Sequence, residues 1–372
     1  MNLKPKVSNY LNIFVHPILG VSIHNWFRVL WKHNFRIHPA FIPKIIFITA
    51  TAIFNAPFQL LEYLIYSRRI KKQVVKSPVF ILGHPRSGTT HLFYLLSKDE
   101  RFSYCTAYNA VLPHVFLVGG KGLKKMVGTS IPETRPQDNV KMSIDSPKEE
   151  EFAMANMTST SYMFGFYFPR RAKKSFEESV SFEGGESYRQ EWLRNYKYYL
   201  QKLTYRYPNK QLLIKSPANT GRIKEILELF PDAKFIHIHR DPMEVFQSTK
   251  GLYEKIIQTT SFQSANESEV RDYIMFSYRK MYEKFFAEVD LIKKDKLVEI
   301  GYNDLDELPL KTIERIYDGL GLEDFSAAKK NIAKELEDTV DYKKNTHSSL
   351  TEEEKERINK EWAEIISQLG YS

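Results

Sequence analysis

Residues 79–96 constrain the fold more tightly than any other stretch of the chain. Val79-Phe80-Ile81-Leu82 is an uninterrupted apolar run of strand length, the pattern of a strand buried on both faces. Gly83-His84-Pro85-Arg86-Ser87-Gly88-Thr89-Thr90 follows, and an apolar periodicity of helical spacing occupies Thr89 to Leu96. The two loop glycines have the G-x-x-x-x-G spacing of a phosphate-binding loop. A buried strand, a glycine turn and a helix start, in that order, aim backbone N–H groups and the positive end of the helix at one anion. The nucleotide-triphosphatase form of this loop carries a lysine where this sequence has Thr89, which argues against an ATPase. The positive charge sits instead at the loop crest, on Arg86.

The same logic extends along the chain. Residues 212–214, 234–239 and 297–300 predict three further strands. A helix is predicted over 220–230, closed by Pro231, and Pro242 opens another at a position where proline is tolerated. Helices are expected at about 309–319 and 351–368, the latter with a capping box of Thr351 and Glu354. Strands alternating with helices imply the α/β class: a P-loop-like, mainly parallel sheet flanked by helices, preceded by an N-terminal apolar helical extension. No internal repeat is visible. Residues 119–148, rich in Gly, Lys and Pro, read as a long surface loop or lid, and 170–185 as a second loop.

The strand, the P-R-S-G-T-T crest and the helix together resemble the 5′-phosphosulfate loop of sulfotransferases that use 3′-phosphoadenylyl sulfate (PAPS). The likeness is to the branch shared by tyrosylprotein sulfotransferases and many bacterial sulfotransferases. A second motif agrees: Phe235-Ile236-His237-Ile238-His239-Arg240-Asp241-Pro242, with Ser248 eight residues after Arg240. The resemblance implies that Arg240 and Ser248 bind the donor's 3′-phosphate, as a guanidinium at a strand end and a nearby hydroxyl can do by charge-assisted bonds. Lys215-Ser216-Pro217 matches the element that carries the family's catalytic lysine. Tyr302, in Gly301-Tyr302-Asn303-Asp304-Leu305, matches a tyrosine that contacts the adenine region. Asp145 to Phe152 resembles an acidic element of the bacterial branch. The likeness covers roughly 78–370 and implies a donor site of Arg86, Ser87, Gly88, Thr89, Thr90, Arg240, Ser248 and Tyr302, with Arg86 and Lys215 also catalytic.

The resemblance implies an in-line sulfuryl transfer in which positioning and charge stabilisation do most of the catalysis. No Cys/His cluster has metal-site spacing, and none is required, so no metal is expected. The acceptor hydroxyl needs a base. The glutamate that tyrosylprotein sulfotransferases place about twenty residues after the loop arginine is absent here, where Cys105-Thr106-Ala107-Tyr108-Asn109 stands. Glu150 is the first candidate, then its neighbours, His114 and His91. The missing glutamate argues against a protein-tyrosine acceptor. The Met- and aromatic-rich stretch 154–168 and the apolar run 112–118 point to a lipophilic small-molecule acceptor, a sterol or lipid alcohol, unless they are core. A glycan or glycolipid acceptor, a P-loop small-molecule kinase and a catalytically silent scaffold remain as alternatives.

Charge separates the N-terminal segment from the rest. Residues 1–76 hold eleven Lys and Arg and one acid, Glu62, whereas the whole chain carries only +9. Residues 45–61 run without a charge but contain Asn55, Pro57 and Gln59, marginal for a span of about 20 apolar residues. Pro57 is expected to break the helix. Ile23, Trp26, Phe27, Leu30 and Trp31 form an amphipathic stripe suited to an interfacial helix or to core packing. The expected organisation is thus a basic, apolar extension over 1–76 and a sulfotransferase domain over 77–372. An anionic membrane surface is a candidate partner and nucleic acid is not, given the long apolar runs. One cysteine, 16 Gly and 17 Pro exclude a disulfide scaffold, collagen and low-complexity disorder. No cleavable leader pattern is seen, so a cytoplasmic location is expected, with a peripheral place at the inner face of a membrane as its variant.

Overall fold

The apolar runs 79–82 and 212–214 have no polar face and require a sheet covered on both sides, and the computed structural model contains one. It describes residues 2–3, 16–129, 143–338 and 349–371. In chain order the elements used below are helices α1 (Ile23–Lys32) and α2 (Ile42–Lys71), strand β1 (Val79–Leu82), helix α3 (Thr89–Leu96) and strand β2 (Phe102–Ser103). Helices α4 (Glu151–Met157) and α5 (Glu186–Arg206) follow, then strands β3 (Gln211–Lys215) and β4 (Lys234–His239). Helix α6 (Pro242–Thr260), strand β5 (Leu297–Gly301) and helix α7 (Tyr302–Glu307) complete the set.

The chain divides into two compact units, each assembled from three stretches of sequence. One comprises Met1–Gln73, Cys105–Arg206 and Leu252–Tyr273, and the other Val74–Tyr104, Tyr207–Gly251 and Ile274–Ser372. The N-terminal segment up to Gln73 falls in the first unit.

The second unit holds the sheet, in the order β2-β3-β1-β4-β5. All four pairings are parallel. The registers Ile81↔Lys215, Leu82↔His237 and His239↔Gly301 bring the C-terminal ends of the inner strands to one edge. Val79 and Ile81 of β1, Leu213 of β3 and Ile236 and Ile238 of β4 pack with Leu92, Leu95 and Leu96 of α3 and with Ile313 and Ile316 in one core. The predicted helix 220–230 is a 3-10 turn, Pro217–Gly221, followed by Ile223–Leu229. The C-terminal helix divides at Trp362 into Glu352–Glu361 and Ala363–Gln368, and its predicted capping box is present.

The first unit is helical, and several expectations change there. α2 runs unbroken through Pro57 for 30 residues; a proline removes one ladder bond, and packing at both ends of the helix outweighs that loss. α1 buries Asn25, Trp26, Val29 and Leu30, while Phe27 and Trp31 are exposed. The buried face is therefore turned from the predicted stripe. Arg28 pairs with the Glu191 carboxylate while staying exposed, and Lys32 is drawn inward by the carboxylate of Glu178. Within the two predicted loops, Gly120–Gly128 and Ala172–Ser179 are helices; the rest of the candidate lid includes 130–142, outside the described residues. The aromatic stretch proposed as an acceptor pocket is core: Met154, Tyr162, Phe164, Phe166, Tyr167 and Phe168 are all buried.

Glu62, the lone acid of the N-terminal segment, ties α2 to its unit. Its carboxylate pairs with Lys202 of α5 and accepts the backbone N–H groups of Leu117 (2.7 Å) and Val118 (3.0 Å). Lys202 also donates to the Pro113 carbonyl and lies over the Phe116 ring. Burial raises the Glu62 pKa and lowers that of Lys202, so each ion depends on its partner to stay charged. Glu62→Ala is expected to cost about 3–5 kcal/mol, because it strands a buried ammonium, whereas Glu62→Gln combined with Lys202→Met, which keeps an acceptor for the Leu117 and Val118 N–H groups, should recover most of that loss. Urea denaturation of the single and double variants measures both; equal losses in the two would show that the pair is not what holds α2.

Candidate active site

β1 delivers the loop to the C-terminal edge of the sheet, where open parallel α/β sheets bind ligands. The turn leaves no room for side chains at its two glycines. Gly83 has φ +142, and a Cβ there would lie 2.4 Å from the Ile238 carbonyl oxygen. Gly88 has φ +93, and a Cβ would lie 2.5 Å from Cδ2 of Tyr302. The Gly83 N–H donates to Thr220 Oγ1 at 2.7 Å, fixing where the loop leaves the strand. Gly88 caps α3 without a side-chain hydrogen bond, so the first-turn amides of α3 supply an anion-binding end.

Arg86 occupies the crest with φ +75, a conformation that costs a non-glycine residue energy and is characteristic of functional turns. Its Nε donates to Ser248 Oγ at 2.7 Å. Ser248 is buried on α6, and its neighbour Thr249 bonds the Pro85 carbonyl at 3.5 Å. The loop crest is thereby attached to α6 at two successive residues.

Lys215 ends β3, directly beside Ile81 in register. The side chain is buried, its Nζ donates to Thr90 Oγ1 at 3.2 Å, and it lies 5.9 Å from the Phe93 ring centroid. Arg240 leaves the end of β4. Its Nε donates to Glu244 Oε2 at 2.6 Å, and its guanidinium stands 4.3 Å from the Tyr302 ring centroid. Tyr302 begins α7 just after β5. Its ring therefore meets both Gly88 and Arg240, closing one side of the loop.

The structure thus gathers Arg86, Ser87, Gly88, Thr89, Thr90, Lys215, Arg240, Ser248 and Tyr302 in the second unit. Glu150 belongs to the first unit. It is buried, and its Oε1 accepts the Tyr196 hydroxyl at 2.8 Å. His114, also in that unit, meets the Asn156 carbonyl through Nε2, and burial lowers its pKa to about 4. His91 lies on α3. The sequence reading missed Thr220, Thr249, Phe93 and Glu244. Of these only Glu244 had a local signal, four residues after Arg240 on a helix, where opposite charges meet.

The Sulfotransferase family profile matches residues 78–327. The chain is a member of the sulfotransferase family. It is 31% identical over 355 residues to omega-hydroxy-beta-dihydromenaquinone-9 sulfotransferase Stf3 of Mycobacterium tuberculosis, covering 95% of this chain and 90% of the relative. The Mycobacterium bovis protein of the same name matches equally. Among solved structures, sulfotransferase STF9 of Mycobacterium avium superposes with TM-score 0.68 at 18% identity, over 95% of this chain and 97% of the other. Sulfotransferase STF1 of M. tuberculosis H37Rv gives TM-score 0.68 at 17% identity, over 94% and 96%. These two likenesses concern the fold. The family match makes the chain a sulfotransferase enzyme and sets aside the kinase and silent-scaffold readings.

His84, inside the loop, carries a pH consequence for this sulfotransferase. It is fully buried against the Tyr278 ring, with Nδ1 on the Pro85 carbonyl at 2.9 Å. Burial lowers its pKa from 6.5 to about 3. The unfolded chain therefore takes up this proton first, and stability falls as pH drops from about 6.5 toward 3. Between pH 7 and 5 the loss from this group is on the order of 2 kcal/mol. Equilibrium unfolding at both pH values should show a smaller drop in His84→Gln than in the unaltered chain; an equal drop would remove His84 as a source of acid sensitivity.

Proposed function

We propose that this sulfotransferase takes PAPS as donor and sulfates a hydroxyl on a lipophilic small molecule, a lipid alcohol of the isoprenoid-quinone kind. The observation that carries the acceptor class is the 31% identity, across 95% of the chain, to an enzyme named for an omega-hydroxy menaquinone acceptor. The donor assignment rests on the loop. Gly83 and Gly88 make a cradle that a Cβ would fill, and Arg86, Lys215 and Arg240 supply three cations around it. That donor set suits a nucleotide with phosphates at both ends of its ribose.

PAPS supplies the transferable sulfuryl group and carries 3′,5′-ADP as its leaving group. Arg86, Lys215 and the first-turn amides of α3 would neutralise the charge gathering on the leaving 5′-phosphate as the S–O bond breaks, the type of stabilisation that dominates such reactions. Thr90 holds the Lys215 ammonium toward the loop. Arg240, which bonds Glu244 here, would hold the 3′-phosphate, and Tyr302 would offer its ring to the adenine region. As the acceptor oxygen bonds to sulfur, its proton passes to a base. We assign that role to Glu150, a buried carboxylate, and Glu150→Gln should lose turnover while keeping 3′,5′-ADP affinity. The enzyme would act from the cytoplasm, at the inner face of the membrane that dissolves its acceptor.

The deciding assay offers sulfate-labelled PAPS together with an omega-hydroxylated isoprenoid quinol, a sterol and a glycolipid in parallel. Label in the quinol product supports the reading; label confined to the glycolipid overturns it. Lys215→Ala should lower kcat at least a hundredfold while 3′,5′-ADP affinity stays within about tenfold. Arg240→Ala should erase the preference for 3′,5′-ADP over 5′-ADP. Undiminished discrimination in that variant, measured by calorimetry, would defeat the 3′-phosphate assignment.

A further inference from the structure

α2 turns its hydrophobic side outward. Ile46, Phe54 and Leu64 are 63, 69 and 68% exposed, and Ile53, Phe58 and Leu61 lie between them on the same helical stripe. The opposite stripe, with Lys44, Ile48, Glu62 and Ile70, is buried. Monomeric soluble proteins seldom display a contiguous apolar surface of this extent. The charge pattern states what covers it. Between residues 42 and 72 the only acid, Glu62, is buried, whereas Arg68, Arg69, Lys71 and Lys72 at the end of the helix are exposed. A second copy of the chain would bring the same basic end with no exposed acid on the helix to meet it. Anionic lipid offers both an apolar layer and negative headgroups.

The helix is long and apolar enough to cross a membrane, but its ties run along its whole length. Trp26 Nε1 donates to Thr49 Oγ1 at 2.9 Å near the start. Glu62 is held by Lys202 further on, and Gln201 Nε2 donates to the Lys71 carbonyl at 3.1 Å at the end. An upright crossing would carry this buried ion pair and the body of the first unit into hydrocarbon, at high cost. We propose that α2 is an in-plane membrane anchor: its apolar stripe sinks into the boundary between headgroups and acyl chains of an anionic leaflet, and its basic end binds lipid phosphates. The inference deepens the proposed function, which places the acceptor in the membrane, but its test does not depend on turnover.

The single cysteine, Cys105, is buried, so a cysteine introduced on α2 labels selectively. Ile46→Cys and Leu64→Cys, each carrying an environment-sensitive fluorophore, are mixed with vesicles of phosphatidylcholine and phosphatidylglycerol, and depth is read with quencher-bearing lipids. Both probes are expected to shift to the blue and to report the same shallow depth. A spanning helix would separate these positions by about 27 Å along its axis, so unequal depths overturn the in-plane arrangement. No shift at either position overturns the anchor altogether. In co-sedimentation, Phe54→Ser with Leu64→Ser should lower vesicle partitioning at least tenfold. Arg68→Gln with Arg69→Gln should lower it roughly thirtyfold on anionic vesicles and leave neutral ones unaffected. A lipid-free dimer that the serine variant dissociates, with no vesicle binding by the unaltered chain, would assign the face to a second copy. 3′,5′-ADP affinity is measured throughout. Unchanged affinity in the variants shows an intact fold, and absent affinity in a vesicle-binding chain defeats the donor reading alone.

Discussion

The approach of β1 to β4 at the loop leaves no space between Gly83 and the Ile238 carbonyl oxygen, and the donor side of this enzyme depends on that contact. Because the strands run parallel, every one of them releases its chain at the same edge. Lys215, the loop, Arg240 and Tyr302 arrive there from four different strands with no further device needed. The register then decides which residues meet. A shift of one residue along β3 would turn Lys215 to the other face of the sheet and leave Thr90 without it.

Most of this edge could be read in the sequence because its signals are local. The run 79–82 with its glycines, Arg240 before Pro242, and Lys215 before Pro217 each lie within a few residues, where spacing and residue type carry the meaning. The features that escaped are those made by distant segments. Thr220 supports Gly83 from 137 residues away, and nothing around Thr220 announces it. β2 is two residues long, too short for any alternation to show. The helix Ala172–Ser179 buries Ala172, Ser175, Phe176, Glu178 and Ser179, but only Ala172 and Phe176 of these are apolar, so its buried face leaves no apolar periodicity and it reads as loop. The stretch 154–168 has the composition of either a core or a pocket, and only packing distinguishes them.

Ion pairs serve two different ends in the chain. Glu62 and Lys202 are sealed from water and fix one element against another. Arg240 and Glu244 are partly exposed neighbours on one turn, and such pairs contribute little to stability. What the second pair does is keep a guanidinium oriented on the Tyr302 ring while it remains exchangeable. Arg86 is handled differently again: a neutral hydroxyl, Ser248, holds it, and the strain of its backbone is carried by a loop attached to α6 at two points.

The interleaving of the two units also sets an order of events during synthesis. α2 is complete by residue 71, but the lysine that neutralises Glu62 follows 140 residues later. At about 5–20 residues per second, roughly 7–26 s pass between completion of the helix and synthesis of Lys202. For that interval Glu62 lacks the Lys202 ammonium, while the apolar stripe of α2 is already complete. What it encounters then, a chaperone or a bilayer, comes before the sulfotransferase fold itself.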